Sequence, residues 1–367
     1  MNKTLCGDVI EKLKELPDEC VQMVVTSPPY FGLRDYGVKG QIGLEDSPEA
    51  FVSKMVEVFR EVRRVLRNDG TVWMNIGDSY AMSSMRGKDS EFKGWCDQSK
   101  SGIVNCKRSI PKGLKPKDLI GVPWRLAFAL QADGWTLRQD IIWEKAAPMP
   151  ESVTDRCTKS HEYIFLLSKS QKYFFDNEAI KEPCVTYDNI VRDRETTKLN
   201  NTPGRTKMKG LVYNNYPTRN KRDVWKLKSN LFKGAHFATF PLSLPLTCIK
   251  AGTSEAGCCG KCGSPWTRIL KKRTDWPERK AAGQPIRQGL EGAGAQGVGG
   301  FKSESTTLGW KQGCKCGETT TARCVVLDPF AGAFTTAVAA RDLGRDSIMV
   351  ELNPEYVKIG EERLKTK

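Results

Sequence analysis

Short apolar runs rich in β-branched residues alternate along this 367-residue chain with segments whose apolar residues recur at helical spacing. The runs VQMVVTS and TVWMNIG have the length and composition of buried strands. Further strands are predicted at TLRQDIIWEK, SHEYIFLLSKS, CVVLDPFAG and SIMVEL. Because strands and helices alternate, we predict an α/β sheet that helices cover on both faces.

The longest predicted helix begins after Ser47, which can cap it, carries Pro48 in its first turn and ends at Gly70. Its apolar residues recur on one face, at Phe51, Met55, Val58, Val62 and Leu66. Shorter helices are predicted within GDVIEKLKELPDE, LIGVPWRLAFALQADG, TTAVAARDLG and NPEYVKIGEERLK. In the last of these, Asn353 and Pro354 supply the cap and first turn.

Composition allows an ordinary core, since 39% of the residues are hydrophobic. No run approaches the roughly 18 apolar residues of a membrane helix, and the charged N-terminus lacks the apolar region of a signal peptide. We therefore expect a cytoplasmic protein without a membrane partner. The formal charge of +15 favours a polyanionic partner, namely nucleic acid, over a merely soluble basic surface.

Basic residues dominate the stretch from Pro203 to Asn230, where Asp223 is the only acid. Aromatic residues interleave with them, which favours a nucleic-acid-reading segment over a disordered linker. The candidate nucleic-acid-binding residues are Arg219, Lys221, Arg222 and Trp225. For the tryptophan, an ordinary buried position is an equally open interpretation.

Thirteen cysteines, an odd number, without an export signal favour reduced thiols or a metal site over disulfides. The pairs Cys259-x-x-Cys262 and Cys314-x-Cys316 both adjoin glycines, so that tight turns can surround a tetrahedral ion. We predict structural zinc on these four thiolates, with free thiols as the alternative. Cys258 is a neighbouring competitor for the first position.

The segment VVLDPFAGAFTTAVAA reads as strand, tight turn and helix. Its small residues Ala331, Gly332 and Ala333 let the backbone approach a ligand at the helix N-terminus. Glu351 ends the next strand about twenty residues later, where an acid can bind both hydroxyls of a ribose. The alternative for this glutamate is a solvated loop carboxylate.

Two motifs in this order, TSPPY first and DPFAG…TT last with VEL after it, resemble the amino-methylating DNA methyltransferases. More narrowly, they resemble the permuted group, in which the catalytic motif precedes the cofactor motif and the target-recognition region lies between. The resemblance spans nearly the whole chain, because GDSY, IIWEKAAPMP and HFATFPLSLP also fit it.

The resemblance implies a Rossmann-like fold dependent on S-adenosylmethionine, with a mixed seven-stranded sheet, helices on both faces, a target-recognition region and a zinc-knuckle insertion. The implied segments are 1–181 (catalytic half), 182–235 (target recognition), 236–257 (cofactor-closing segment), 258–317 (cysteine-rich insertion) and 318–367 (cofactor-binding half). Relatives with similar C-x-x-C and C-x-C pairs support Cys259 over Cys258 as a ligand.

Cofactor contacts follow from the same resemblance. It places Asp328 near the amino-acid part of the cofactor, Glu351 on the ribose and Asp8 near the adenine amino group. Further contacts are expected from Phe330, Ala331, Gly332, Phe240 and Pro241. One position departs from the family turn F-x-G-x-G-T-T, because Phe334 replaces its second glycine. A positive φ there costs a phenylalanine about 1 kcal/mol or more.

The implied catalytic residues are Ser27, Pro28, Pro29 and Tyr30. The serine hydroxyl and the Pro28 carbonyl can accept hydrogens of an exocyclic amine, the two prolines fix the backbone, and the tyrosine offers a ring for stacking on an extruded base. In the family that the chain resembles, serine at this position goes mostly with cytosine N4, so the resemblance favours cytosine N4, with adenine N6 as the alternative. A C5 mechanism would need a Pro-Cys nucleophile, and Pro183-Cys184 lies outside any matching context.

Two other functions stay open on the sequence alone. One is a zinc-containing nucleic-acid binder whose methyltransferase site has decayed, which Phe334 motivates. The other is an RNA or protein methyltransferase with a related P-P-Y site, against which the permuted motif order counts. The expected partner is double-stranded DNA in a bacterial, archaeal or phage-infected cell. A homodimer and a cognate restriction endonuclease are further candidate partners.

Overall fold

A computed structural model describes residues 2–33, 37–81, 110–111, 113–148, 150–183, 218–228, 240–273 and 304–366. The chain divides into two compact units. The first comprises 1–176, 222–267 and 312–367, and the second comprises 177–221 and 268–311. The predicted target-recognition region, 182–235, and the predicted cysteine-rich insertion, 258–317, each contribute to both units. The predicted segment boundaries stay predictions.

Six α-helices lie in the described residues: α1 (Val9–Lys14), α2 (Pro48–Val65), α3 (Val122–Ala132), α4 (Ser243–Gly252), α5 (Thr335–Asp342) and α6 (Pro354–Lys365). The strands are β1 (Asn2–Cys6), β2 (Val21–Thr26), β3 (Leu66–Ile76), β4 (Thr136–Lys145), β5 (His161–Ser168), β6 (Glu182–Pro183), β7 (Thr218–Arg219), β8 (Val224–Leu227), β9 (Cys258–Cys259), β10 (Thr267–Arg273), β11 (Glu304–Lys311), β12 (Thr321–Ala322), β13 (Val325–Asp328) and β14 (Asp346–Glu351). No described helix is long and apolar enough to cross a membrane.

One mixed sheet in the first unit contains eight strands in the order β1–β14–β13–β2–β3–β5–β4–β8. β5 is antiparallel to β3 and β4, and the other neighbours are parallel. The prediction of seven strands is therefore wrong by one. The residue pattern by itself indicated six of the eight strands and missed β1 and β8. In β8, Trp225 is buried while Val224 and Lys226 are exposed. A single buried side chain among charges gives no periodic apolar run to recognise.

Helices cover both faces of the sheet, as predicted, and β14 demonstrates the alternation. Ile348 and Val350 join the main core cluster, which also contains residues of α1, α2 and α3. Met349 belongs to a separate cluster with Phe334 and Ala337, against which side chains of α6 pack. Successive residues of a strand point to opposite faces, so both faces are buried.

The helix after Ser47 ends earlier than predicted. Ser47 caps α2 through its hydroxyl, as expected, but the helix stops at Val65 and Leu66 already has extended dihedrals. Gly70 lies within β3, where a Cβ would approach the backbone oxygen of Gln22 to 2.9 Å. The glycine thus permits close packing of β2 against β3 and does not end the helix.

The second unit consists, in its described part, of short elements. β6 pairs with β7, and β10 pairs with β11. Arg219 in β7 forms an ion pair with Glu182 in β6 at 2.8 Å. In the β10–β11 ribbon, the Arg268 guanidinium lies 4.3 Å above the ring of Trp310.

Candidate active site

A cavity of about 180 Å³ lies at the carboxyl edge of the parallel strands in the first unit. β13 lies between β14 and β2, with Val326 opposite Met23 and Leu327 opposite Val24. Because parallel strands end at the same edge, the segments that follow β2, β13 and β14 converge there. The cavity is lined by residues from all three segments, among them Ser27, Pro28, Pro29, Tyr30, Phe330, Gly332 and Glu351.

Asp328 joins the ends of β2 and β13 beneath the cavity. Its Oδ1 accepts a hydrogen bond from the Thr26 hydroxyl at 2.7 Å, and its Oδ2 accepts one from the Thr336 hydroxyl at 2.6 Å. The Phe330 N–H donates to Oδ1 at 3.1 Å. Burial raises the pKa of this carboxyl to about 6, although the three hydrogen bonds favour the ionised form. The side chain thus fixes the turn and does not line the cavity.

Glu351 ties the turn after β13 to the end of β14. The Gly332 N–H donates to its Oε2 at 2.8 Å, and the Asn353 N–H donates to its Oε1 at 2.9 Å. Its backbone oxygen accepts from the Gly7 N–H at 2.9 Å. Burial raises the pKa of the carboxyl. The carboxylate therefore has a fixed orientation in the cavity wall, with lone pairs left for hydroxyl donors.

Asp8 lines the same cavity and also caps a helix. Its Oδ1 accepts from the Ile10 N–H at 2.9 Å and from the Glu11 N–H at 3.1 Å, which fixes the start of α1. β1 pairs with β14 so that Cys6 lies opposite Glu351, and Asp8 comes two residues after Cys6 in the chain. The two acids predicted for one ligand thus share one cavity.

Phe334, which replaces the second glycine of the family turn, adopts a left-handed conformation with φ 61° and ψ 33°. Its side chain is fully buried in the cluster with Ala331, Ala337 and Met349, and it is absent from the cavity wall. The phenylalanine therefore leaves the cavity open.

The other predicted cofactor contacts divide into two groups. Phe240 lines the cavity, whereas Pro241 and Ala331 are buried and are not among its lining residues. The sequence analysis missed the loop residues Val38, Gln41 and Ile42, which have no recognisable motif. It also missed Leu352, Asn353 and Tyr356, which their position directly after the strand-end glutamate could have indicated.

The four candidate nucleic-acid contacts differ in burial. Trp225 is 3% exposed, lies near Trp73 with ring centroids 6.1 Å apart and donates its indole N–H to the Arg222 oxygen at 2.8 Å. Its prediction as a DNA-facing residue is wrong, because β8 inserts the ring into the core. Arg222 is exposed in the first unit, while Lys221 and Arg219 are half-buried in the second.

The four predicted cysteine ligands do meet. Their Sγ atoms, from Cys259, Cys262, Cys314 and Cys316, all lie within 4.8 Å of one another. Gly263 and Gly317 each follow the second cysteine of a pair, and both have φ +68°. Two like turns from segments about fifty residues apart thus surround one point. Cys258 lies apart from this set, with its thiol directed at the oxygens of Ala322 and Arg323.

Comparison with known proteins gives consistent matches. The chain matches the sequence model of a DNA methylase family, N6_N4_Mtase, over residues 21–259 and 318–362. It is 37% identical over 362 residues to the Type II methyltransferase M.SmaI of Serratia marcescens, a match that covers 99% of this chain and 90% of the relative.

Two solved structures share the fold at low sequence identity. PvuII DNA methyltransferase (cytosine-N4-specific) is 15% identical with a TM-score of 0.54, and the match covers 99% of this chain and 86% of that one. A protein from Thermus thermophilus described as a DNA modification methylase, complexed with S-adenosyl-L-methionine, is 19% identical with a TM-score of 0.51 and coverages of 99% and 93%. The predicted mixed α/β fold is confirmed.

Proposed function

The chain belongs to the N6_N4_Mtase family of DNA methylases, and from this premise we propose that it transfers a methyl group from S-adenosylmethionine to an exocyclic amino group in a specific DNA sequence. The favoured target is cytosine N4. The observation that carries the proposal is the single cavity that Ser27 and Gly332 share, although 304 residues separate them in the chain. A catalytic corner and a nucleoside-binding turn thus face the same space.

The amino nitrogen of a nucleobase is a poor nucleophile because its lone pair is delocalised into the ring. The Ser27 hydroxyl oxygen and the Pro28 carbonyl accept the two amino hydrogens, which favours a tetrahedral nitrogen with a free lone pair. Pro28 and Pro29 fix φ near −65°, so that these acceptors are held in place before the base arrives. Tyr30 offers its ring to a base that has left the stack.

The cavity wall fits the proposed methyl donor. Ionised Glu351 has lone pairs for two ribose hydroxyls, Gly332 allows close approach to the turn, and Asp8 lies on the same wall. Phe240 and Phe330 add apolar surface for an adenine ring. When bound, S-adenosylmethionine supplies an electrophilic methyl group on its sulfonium.

The choice of cytosine N4 over adenine N6 depends on Ser27. A serine offers a neutral hydroxyl oxygen on a short side chain, whereas members with Asp or Asn at that position have a carboxylate or an amide there. Adenine N6 is the alternative outcome of the test below. The alternative of a decayed methyltransferase site was based on Phe334. It is no longer favoured, because the Phe334 side chain is directed into the core and leaves the cavity open.

We also propose that the four-cysteine cluster holds a structural zinc ion. Four thiolates at a Zn–S distance of about 2.3 Å lie about 3.8 Å apart in a tetrahedron, which the 4.8 Å limit accommodates. Gln22 donates to the Gly263 oxygen at 3.1 Å, and Arg67 donates to the Cys262 oxygen. Gln22 lies near the start of β2, whereas Ser27 directly follows its end. The ion would therefore stabilise the far edge of the sheet and take no part in methyl transfer.

Double-stranded DNA is the proposed partner, in keeping with the charge of +15. The homodimer, the restriction endonuclease and the cytoplasmic location stay predictions.

Sequencing of genomic DNA from cells that express the chain, with detection of modified bases, tests the proposal. We expect N4-methylcytosine at one position of one short motif. Detection of N6-methyladenine would identify adenine N6, and not cytosine N4, as the target. If the DNA is unmodified although the purified protein binds S-adenosylmethionine, the proposed function is refuted. Cells that express Ser27→Ala are the matched control.

A further inference from the structure

A buried polar network fixes the tyrosine of the catalytic corner. The Tyr30 hydroxyl donates to Glu162 Oε2 at 2.6 Å, and Asn75 Nδ2 donates to the same oxygen at 3.0 Å. The Lys145 ammonium lies 2.6 Å from the other oxygen, Oε1. Glu162 is 9% exposed and Asn75 is 2% exposed. A buried carboxylate with both oxygens bound has one orientation available to it.

The sheet topology explains why these residues meet. Asn75 and Lys145 lie at the carboxyl ends of β3 and β4. β5 runs in the opposite direction between them, so that Glu162, at its amino end, arrives at the same edge. Glu162 is paired with Trp143 in the register of β4 and β5. The antiparallel strand thus delivers an acid to the edge where Ser27 and Tyr30 follow β2.

A second contact, with Gly77, restricts the position of the Tyr30 ring along one edge. Gly77 follows β3, and a Cβ at this position would lie 2.7 Å from Tyr30 Cε2 and 3.5 Å from Glu162 Cδ. The tyrosine ring is therefore held by its hydroxyl and along one edge, and Tyr30 is one of the residues that line the cavity. Within this network only the Tyr30 ring has a direct part in the proposed chemistry; Glu162, Asn75 and Lys145 have none.

We propose that Glu162 is a positioning residue for methyl transfer, which holds the Tyr30 ring in one orientation for the target base, with Lys145 fixing the carboxylate from its other side. The inference rests on the proposed function. A stacking surface that is ordered beforehand costs no conformational entropy when the base reaches it, and it aligns the amino nitrogen with the acceptors on Ser27 and Pro28.

Steady-state methyl transfer by purified full-length variants tests this role. Tyr30→Phe removes only the hydroxyl, and Glu162→Met removes the acceptor while keeping the side-chain length. We expect each to lower kcat about tenfold or more, with S-adenosylmethionine affinity unchanged in calorimetry. The double variant should be no slower than the worse single variant, since both changes break one contact. Glu162→Gln keeps one acceptor oxygen and should recover part of the rate.

The matched control is Glu57→Met, which removes an exposed carboxylate paired with Lys54 on α2 and should keep the wild-type rate. The inference would be overturned if the kcat reductions of the two single variants multiplied in the double variant. It would also be overturned if Tyr30→Phe had the wild-type kcat. The second criterion holds even if Glu162→Met fails to fold, because Tyr30→Phe leaves the Glu162–Lys145 pair intact. A wild-type protein that binds S-adenosylmethionine and methylates no DNA would instead refute the proposed function, and this inference with it.

Discussion

The ring of Phe334 lies against the backbone of Gly360, so closely that a Cβ on the glycine would overlap the ring. Phe334 is the residue with positive φ at the start of α5, and Gly360 is a buried residue of α6. A phenylalanine in a left-handed conformation is strained. Here, however, the Phe334 ring fills the space beside Gly360, which is open because the glycine has no side chain. The two departures from ordinary preference compensate one another.

This pairing predicts strong coupling between the two positions. Gly360→Ala should destabilise the protein by about 1–3 kcal/mol through overpacking. Phe334→Gly relieves about 1 kcal/mol of backbone strain but loses a buried ring, so a net loss of about 2–4 kcal/mol is expected. In the Phe334→Gly background, Gly360→Ala should cost little or add stability. Urea unfolding of the four proteins measures the coupling.

Lys358→Ala, at an exposed position on the same helix, is the control for that cycle. Its effect should be the same with and without Phe334. Additive effects of the Phe334 and Gly360 substitutions would contradict the proposed compensation.

Ser27→Ala should lower the rate of methyl transfer about a hundredfold or more, because it removes a fixed acceptor for the amino hydrogens. Affinity for S-adenosylmethionine and the melting temperature should stay near wild type. Transfer of a radiolabelled methyl group to DNA measures the rate. Ser53→Ala, at an exposed position on α2, is the matched control. A joint loss of transfer and of thermal stability would identify Ser27 as a folding residue.

Binding of S-adenosylmethionine should weaken as the pH falls through the pKa of Glu351. Burial raises this pKa above 4.5, so the loss should begin at a higher pH than for an ordinary glutamate. The sign follows because the ionised carboxylate accepts the ribose hydroxyls and the protonated form loses an acceptor. Calorimetric titration at several pH values measures the effect. Glu351→Gln should bind more weakly at neutral pH and show a flatter profile; an unchanged slope would assign the effect to another group.

The purified protein should contain one zinc ion per chain, measured by elemental mass spectrometry. Cys262→Ser should lose most of this zinc and melt at a lower temperature, because a closed set of four thiolates contributes its binding energy to folding. Cys157→Ser, which alters an exposed cysteine outside the cluster, should keep both values. Full zinc occupancy in Cys262→Ser would exclude the proposed ligand set.

Local patterns sufficed for most of the elements. Predicted strands such as TLRQDIIWEK and SHEYIFLLSKS correspond to β4 and β5, and Gly134 follows α3 with φ 98° as an expected helix stop. These predictions succeed because propensity, caps and periodicity act over a few residues. Trp225 shows where they fail, since its neighbours are charged and only the pairing of β8 with β4 buries it.

The sequence by itself determined the chemistry available at strand ends, namely the rigid corner from Ser27 to Tyr30 and the turn around Gly332. It also determined the order in which the chain presents them. Only the tertiary structure decided that β13 inserts beside β2 and that Glu162 arrives from an antiparallel strand at the same edge. The reason is physical: a motif is encoded in contiguous residues, whereas the pairing of segments about three hundred residues apart depends on the summed burial of the whole core.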